Sequence, residues 1–427
     1  MTKTPLSPDS QVILLLCTRL ALPPRQSELE PLSRAEWNDV ARAIDASSVK
    51  RPGGLLGAAA ASLARDLNIA PALAERISAL LARGGQLAIE LERLGALGIW
   101  ALTRADPVYP SRLKERLKGQ APPVIFGAGP PEALNHRGIA IVGSRDVDAT
   151  GSAFASELGR LCARSRVTVF SGGARGVDKL AVDSALDQGG QAVAVLADSL
   201  QDSLRRKEQR DAVLSGRLTL ISASSPSARF TVAGAMARNK VIYALSSAAV
   251  VVSSAYETGG TWAGAIENLR AGWIPLFVRD DQDVPEGNRE LMKRGGRPVN
   301  LEELQSSIDP LFDAPVVPQQ ASLVRESDAS YAADQRAPAA VADAASENVQ
   351  EADLFALAWP GLAAFLLKPR TEAEVAESFQ VQPAQAKAWL RRAVAEGLVR
   401  KLSNPTRFER SEAADDAQPS LFEPGPP

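Results

Sequence analysis

Apolar positions follow different rhythms along this chain. Up to residue 100 they recur at helical spacing: Leu63, Leu67 and Ile69, then Leu73, Ile77, Leu80 and Leu81, then Leu87, Ile89, Leu91 and Leu94. A period of 3.6 residues puts such positions on one face of a helix. Gly84-Gly85 interrupts the run, and Pro71, just after Asn68-Ile69-Ala70, suits the first turn of a helix. The pattern predicts a small helical domain over residues 1–100. The run Val12-Ile13-Leu14-Leu15-Leu16-Cys17 is far shorter than the roughly 20 apolar residues of a membrane span. Arg19 follows it almost at once, without a small-residue cleavage pattern, so it reads as a buried helix rather than a signal peptide.

Residues 101–137 form a connector punctuated by prolines, in Asp106-Pro107-Val108-Tyr109-Pro110 and Ala121-Pro122-Pro123-Val124-Ile125-Phe126-Gly127, and leave room for short strands only. From 138 to 305 the rhythm changes to short, continuous apolar runs alternating with helical stripes. The runs are Ile139–Val142, Val167–Phe170, Gln191–Leu196, Leu218–Ile221, Ala248–Val252 and Trp273–Val278. Between the first two, Phe154, Leu158, Leu161 and Cys162 line one helix face. Strands that are apolar throughout belong in a sheet covered on both faces. The fold class is therefore α/β, a doubly wound, mainly parallel sheet, and Pro275 marks the sixth strand as an edge.

Residues 306–350 are rich in Ala, Pro, Ser, Asp and Gln, lack periodicity, and read as a flexible linker. Structure returns over 351–410. Leu354, Leu357, Leu362, Phe365 and Leu366 suggest one helix. Thr371 with Glu374 forms the capping box of a second, and Val381-Gln382-Pro383 begins a third. Gly397–Leu402 and Thr406–Glu409 can pair as a hairpin, which completes a winged-helix pattern. Its third helix offers Lys387, Arg391 and Arg392 to duplex DNA or to a protein partner. The acidic, proline-rich tail, 411–427, reads as disordered.

Composition narrows the chemistry. A net charge of −2 announces no global basic field, so any nucleic-acid site must be a local patch. With two cysteines, Cys17 and Cys162, and one histidine, His136, the usual zinc sites and Ser-His or Cys-His catalysis are disfavoured. His136, in Asn135-His136-Arg137, reads as a surface residue. Nothing calls for a metal or a cofactor. The low cysteine count fits a reducing cytoplasm.

Two loops carry candidate chemistry. Gly143-Ser144-Arg145 follows the first strand of the α/β domain, and Ser171-Gly172-Gly173-Ala174-Arg175-Gly176 follows the second. Parallel strands place such loops side by side on one sheet edge, where ligands bind. Glycines let backbone approach a ligand, exposed N–H groups suit an anion, and arginine forks match phosphate. Asp178 reads as a helix cap, with general acid or base as the alternative.

With these loops in view the chain resembles the DprA/Smf family of DNA-processing proteins over roughly Asp106 to Val278. The residues that carry the resemblance are Asp106–Pro110, Ile141–Arg145, Ser171–Asp178, Gly190–Leu196, Ala237-Arg238-Asn239-Lys240-Val241-Ile242 and Thr258-Gly259-Gly260-Thr261. The resemblance implies a Rossmann-like core that binds single-stranded DNA, forms a homodimer and loads a RecA-type recombinase in natural transformation. It adds Arg238, Asn239, Lys240, Thr258, Gly259, Gly260 and Thr261 to the candidate phosphate edge. Gly173 stands where the family usually has leucine, Val182 where it has histidine, and Lys240 where it has arginine. The aromatic-proline pair expected before Arg238 is missing. Such departures leave room for a divergent relative with another task, such as phage defence.

Single strands are also held by base stacking on aromatics, for which Tyr256 and Trp262 are the candidates, with a core role as the alternative for Trp262. A nucleotide-processing enzyme is the second function class. Thr258–Glu267 resembles the loop of lysine-decarboxylase-like phosphoribohydrolases, but Gly264 stands where that chemistry needs glutamate, and Glu267 lies about one turn further on. A nucleotide-binding sensor using the same edge is the third.

Overall fold

The near-continuous apolar runs become strands buried on both faces. The computed structural model describes residues 6–20, 22, 29–316, 362–363, 365–378, 383–395, 397–402 and 407–410. The helical stripes form α1 (Pro8–Cys17), α2 (Arg34–Ala46), α3 (Ala60–Asp66), α4 (Pro71–Leu81) and α5 (Gly84–Ala96). Next come β1 (Trp100–Thr103), α6 (Ser111–Leu117) and β2 (Val124–Ala128). The alternating region then runs through β3 (Gly138–Gly143), α7 (Ala149–Arg164), β4 (Thr168–Ser171), α8 (Val177–Asp187) and β5 (Ala192–Val195). It continues through α9 (Leu200–Arg205), α10 (Lys207–Leu214), β6 (Leu218–Ser222), α11 (Val232–Leu245), β7 (Ala248–Ser253) and α12 (Gly259–Ala271). It ends with β8 (Leu276–Arg279), α13 (Glu286–Lys293), β9 (Arg297–Val299), α14 (Leu301–Ser306) and α15 (Pro310–Asp313).

Among the described residues these strands form one nine-stranded sheet in the order β1-β2-β6-β5-β4-β3-β7-β8-β9. From β6 to β9 all neighbours are parallel, while β1 and β2 are antiparallel additions. The chain steps from β3 outward to β6, then returns to lay β7 on the other side of β3. The topological switch point therefore lies between β3 and β7. Strand alternation sends Ile139 and Ile141 to one core, Ala140 and Val142 to the other.

Three expectations change. The N-terminal helices do not stand apart: Val12, Leu15, Trp37 and Ile77 share a core with Phe126, Ile139 and Val169. The reason is α1, whose Val12–Leu16 are all buried and need cover on every side. Asp106 ties it down by accepting hydrogen bonds from Ser10 Oγ (2.7 Å) and the Thr103 N–H (2.6 Å). The sixth predicted strand is not an edge, because β8 pairs with both β7 and β9. Pro275 lies just outside it, and its carbonyl accepts the Ala249 N–H at 3.0 Å. Finally, the beginning of the predicted linker is packed. Ile308 and Leu311 are buried, and Arg137 sits 3.7 Å over the Phe312 ring.

Contacts divide the chain into two units, Met1–Asp328 and Ala329–Pro427. The second contains α16 (Glu372–Ser378), α17 (Pro383–Ala395) and an antiparallel hairpin of β10 (Val399–Leu402) and β11 (Arg407–Arg410). Thr371 and Glu374 do form the capping box, with the Thr371 N–H donating to Glu374 Oε2 at 2.7 Å. Leu354 and Leu357, the rest of the predicted linker and the tail lie outside the described residues.

Candidate nucleic-acid interface

A cleft of about 410 Å³ opens at the switch point. Its walls are the end of β3 with Ser144 and Arg145, the polar face of α11 with Arg238 and Asn239, and the start of α12 from Thr258 to Thr261. A bulge between Val142 and Gly143 turns the chain out of the sheet, and the Ser144 N–H donates to the Ser253 carbonyl at 2.8 Å. The loops after β3 and β4 are neighbours as predicted. The Val177 N–H donates to the Ser144 carbonyl at 3.3 Å, and Gly176 has a positive φ and lies so close that a Cβ would overlap the backbone of Ser144 and Arg145.

The candidate residues separate into those the cleft uses and those that build its frame. Arg145 is exposed, has no carboxylate partner among the described residues, and sits 5.7 Å from the centroid of the Phe230 ring. Asp146 faces Arg175 instead, at 3.5 Å across an exposed pair. Thr258 precedes α12 without a side-chain capping bond, and the uncapped first-turn residues Gly259, Gly260 and Thr261 line the cleft. Asn239 braces that turn by donating to the Gly260 carbonyl at 2.9 Å.

Arg238 is the deepest cation. Its side chain is 11% exposed, and Nη1 stands 3.6 Å from Asp178 Oδ2. That distance is long for a hydrogen bond, and Nε has no partner among the described residues. Asp178 takes the Gly172 N–H at 3.1 Å and also accepts from the Ala174 N–H, so it ties down the β4 loop rather than capping α8. Burial raises the Asp178 carboxyl above its usual range, and Arg238 opposes the rise. Burial also pulls the Arg238 guanidinium down, with Asp178 opposing, though a guanidinium stays charged throughout. Tyr243 lines the same cleft. Its hydroxyl has no partner among the described residues, and burial, reinforced by Asp178 and Glu267, raises it so that it stays neutral.

Other candidates are placed elsewhere. Ser171 is fully buried and its hydroxyl donates to the Ile141 carbonyl at 2.7 Å, which ties β4 to β3. Gly172 is a close-approach glycine, because a Cβ there would overlap the Arg238 guanidinium. Gly173 has a φ of +64° and shapes the loop. None of Ser171, Gly172, Gly173, Arg175 and Gly176 lines the cleft. The Ser144 hydroxyl is committed to its own turn, donating to the Asp146 carbonyl and accepting its N–H. Lys240 is turned out of the cleft, 2.7 Å from Glu267 and 2.9 Å from Gln120 Oε1. That pair also accounts for Glu267. Gly264 is buried against the Tyr243 ring, which a side chain there would crowd, since its Cβ would meet the ring at 3.0 Å.

The aromatic candidates change as well. Trp262 is buried and meets Tyr256 edge to face at 5.2 Å, with Arg294 over both rings. The exposed aromatic at the cleft is Phe230, 49% exposed, beside Val232, 71% exposed. A signal for it exists in the sequence: an aromatic follows arginine in a polar loop, directly before the helix cap Thr231. Asp178 is the one carboxylate on the described cleft wall. Among the described residues no cluster of His, Cys, Asp and Glu could hold a metal, and no helix is long and apolar enough to cross a membrane.

Comparison with known proteins agrees with this architecture. The family model for DNA recombination-mediator protein A matches residues 100–307. A putative DNA processing protein DprA of Mycobacterium tuberculosis is 29% identical over 239 residues, covering 53% of this chain and 58% of the relative. Protein Smf of Escherichia coli is 30% identical over 204 residues, covering 45% of this chain and 54% of the relative. The chain thus spans little more than half the length of these relatives. The crystal structure of DNA processing protein A from Streptococcus pneumoniae shares the fold, with a TM-score of 0.53 at 18% identity over 69% of this chain and 95% of that one.

Proposed function

Because residues 100–307 match the family model for DNA recombination-mediator protein A and the chain is similar to DprA and Smf proteins, we propose that its switch-point cleft grips the phosphate backbone of single-stranded DNA. The bound strand is then handed to a RecA-type recombinase, as a recombination mediator would do, with a homodimer as the working form. The observation that supports this reading is one convergence. The uncapped N-terminus of α12, the unpaired Arg145 and the loosely paired Arg238 line one cleft, while its one described carboxylate, Asp178, is held by Arg238. Such an edge attracts phosphates without reading sequence. The second unit, with Lys387 and Arg391 exposed on α17, is assigned to duplex DNA or to a protein partner. The cytoplasm is the compartment this activity requires.

Fluorescence anisotropy with single and double strands of equal length tests the reading. Single strands should bind more tightly, with little dependence on sequence and a steep loss of affinity as salt rises. Equal or tighter binding of duplex overturns it. The cleft volume also suits a single nucleotide, which keeps a small-nucleotide sensor as the second reading. The buried Gly264, against Tyr243, counts against a nucleotide hydrolase.

A further inference from the structure

The cleft has two chemically distinct sides. One is built for an anion: the first turn of α12, Arg145 and Arg238. The other is apolar: Phe230, Val232, Ala235 and Met236 along the entry to α11. Phosphate recognition does not need that second side, and leaving it wet is unfavourable, since Phe230 is 49% and Val232 71% exposed. Phe230 is held out on a fixed support. The preceding loop is anchored where the Pro226 carbonyl accepts the Gln201 N–H at 3.0 Å, and Thr231 caps α11 by accepting the Gly234 N–H at 3.0 Å.

Resting on the single-strand reading above, we propose that Phe230 is a nucleobase platform, so that the cleft takes one unstacked nucleotide, with its base on Phe230 and its phosphate on Arg145 and the α12 N-terminus. A nucleotide carries phosphate and base on opposite ends of one sugar, and Arg145 and Phe230, 5.7 Å apart, offer a receptor for each. Before binding, Arg145 lies over the ring by cation–π attraction. A phosphate then takes the guanidinium, and a base takes the freed ring. The arrangement explains a preference for single strands in steric terms, because the bases of a duplex are stacked and paired and have no free face to offer. It also requires no sequence reading, because every base has a π-face.

The test uses the full chain and two probes, oligothymidine and a strand of equal length carrying abasic sites. Wild type should bind oligothymidine about tenfold more tightly than the abasic strand, as expected for one stacked base. Phe230→Ala should lower oligothymidine affinity to the abasic level and leave the abasic affinity unchanged, and Phe230→Trp should restore most of the loss. The exposed position lets all variants keep the wild-type melting temperature. Wild type binding both strands equally, or Phe230→Ala binding oligothymidine like wild type, overturns the platform while leaving backbone binding intact. A wild-type protein that binds neither strand overturns the single-strand reading itself, and the platform with it.

Discussion

The Arg238 guanidinium lies 3.6 Å from the Asp178 carboxylate, with both side chains nearly sealed from solvent. This pair joins α11 to the loop after β4, and Gly172 is the glycine that lets it form. Removing one partner of a buried pair leaves the other uncompensated. Arg238→Ala should therefore cost about 3 kcal/mol in urea denaturation and also abolish tight single-strand binding. Arg238→Lys should recover part of the stability but little of the binding, since a point charge does not replace the fork. A variant with wild-type stability and affinity would exclude Arg238 from both roles.

Arg145 should behave differently, because neither Asp146 nor Asp178 holds it. Arg145→Ala should weaken single-strand binding by about tenfold or more, the loss of one charge-assisted phosphate contact. The slope of log affinity against log salt should fall by about one. Its melting temperature should match wild type. A drop in melting temperature equal to that of Arg238→Ala would make Arg145 a structural residue.

Lys240 lies in the candidate motif yet points away from the cleft. Lys240→Ala should change single-strand affinity by less than about twofold and leave the salt slope unaltered. A salt titration like that of Arg145→Ala would show that Lys240 leaves Glu267 to reach the strand.

Asp148 provides a pH test of the frame. The Gly151 N–H, and behind it Arg279, hold its carboxyl below the usual 3.8. A carboxyl lowered in the folded state adds stability above its unfolded value, and that stability is lost as pH falls through the folded value. Asp148→Asn keeps a cap acceptor but loses the charge that faces the fully buried Arg279. The stability gap between wild type and Asp148→Asn should be constant above about pH 5 and close below the usual carboxylate range. Denaturation curves across pH measure it, and a gap that persists in acid would remove the charge from the explanation.

The end of the core also makes a prediction. A chain ending at residue 316 should fold and bind single strands like the full protein. One ending at residue 305 should lose about 3–5 kcal/mol, because Ile308 and Leu311 leave the core. Equal stability of the two truncations would return residues 306–316 to the linker. A folded chain ending at 316 that is blind to single strands would move the site to the second unit.

The strands, the helices between them and the adjacency of the loops after β3 and β4 were legible in the sequence, because period and glycine placement are local properties. Ile139–Val142 is apolar at every position, which needs cover on both faces whatever the rest of the chain does. Gly176 was legible for the same reason, since a loop between parallel strands must turn sharply. Side-chain destinations were not local. Ser171 and Lys240 have phosphate-binding chemistry, but Ser171 found a carbonyl on the neighbouring strand and Lys240 found Glu267 one helix away.

The sequence by itself determined a parallel α/β sheet whose glycine loops lie along one edge, and motif order carried its resemblance to a known family. Only the tertiary structure decided that β1 and β2 extend the sheet, that the N-terminal helices share its core, and that Phe230 stands at the cleft in place of Tyr256 and Trp262. The physical reason is the range of the forces involved. Periodicity and turn chemistry act over a few residues, so the chain declares them in order. Ion pairs and burial join residues far apart in the chain, as Arg238 and Asp178 are, so partners become known only when the sheet brings its loops to one edge.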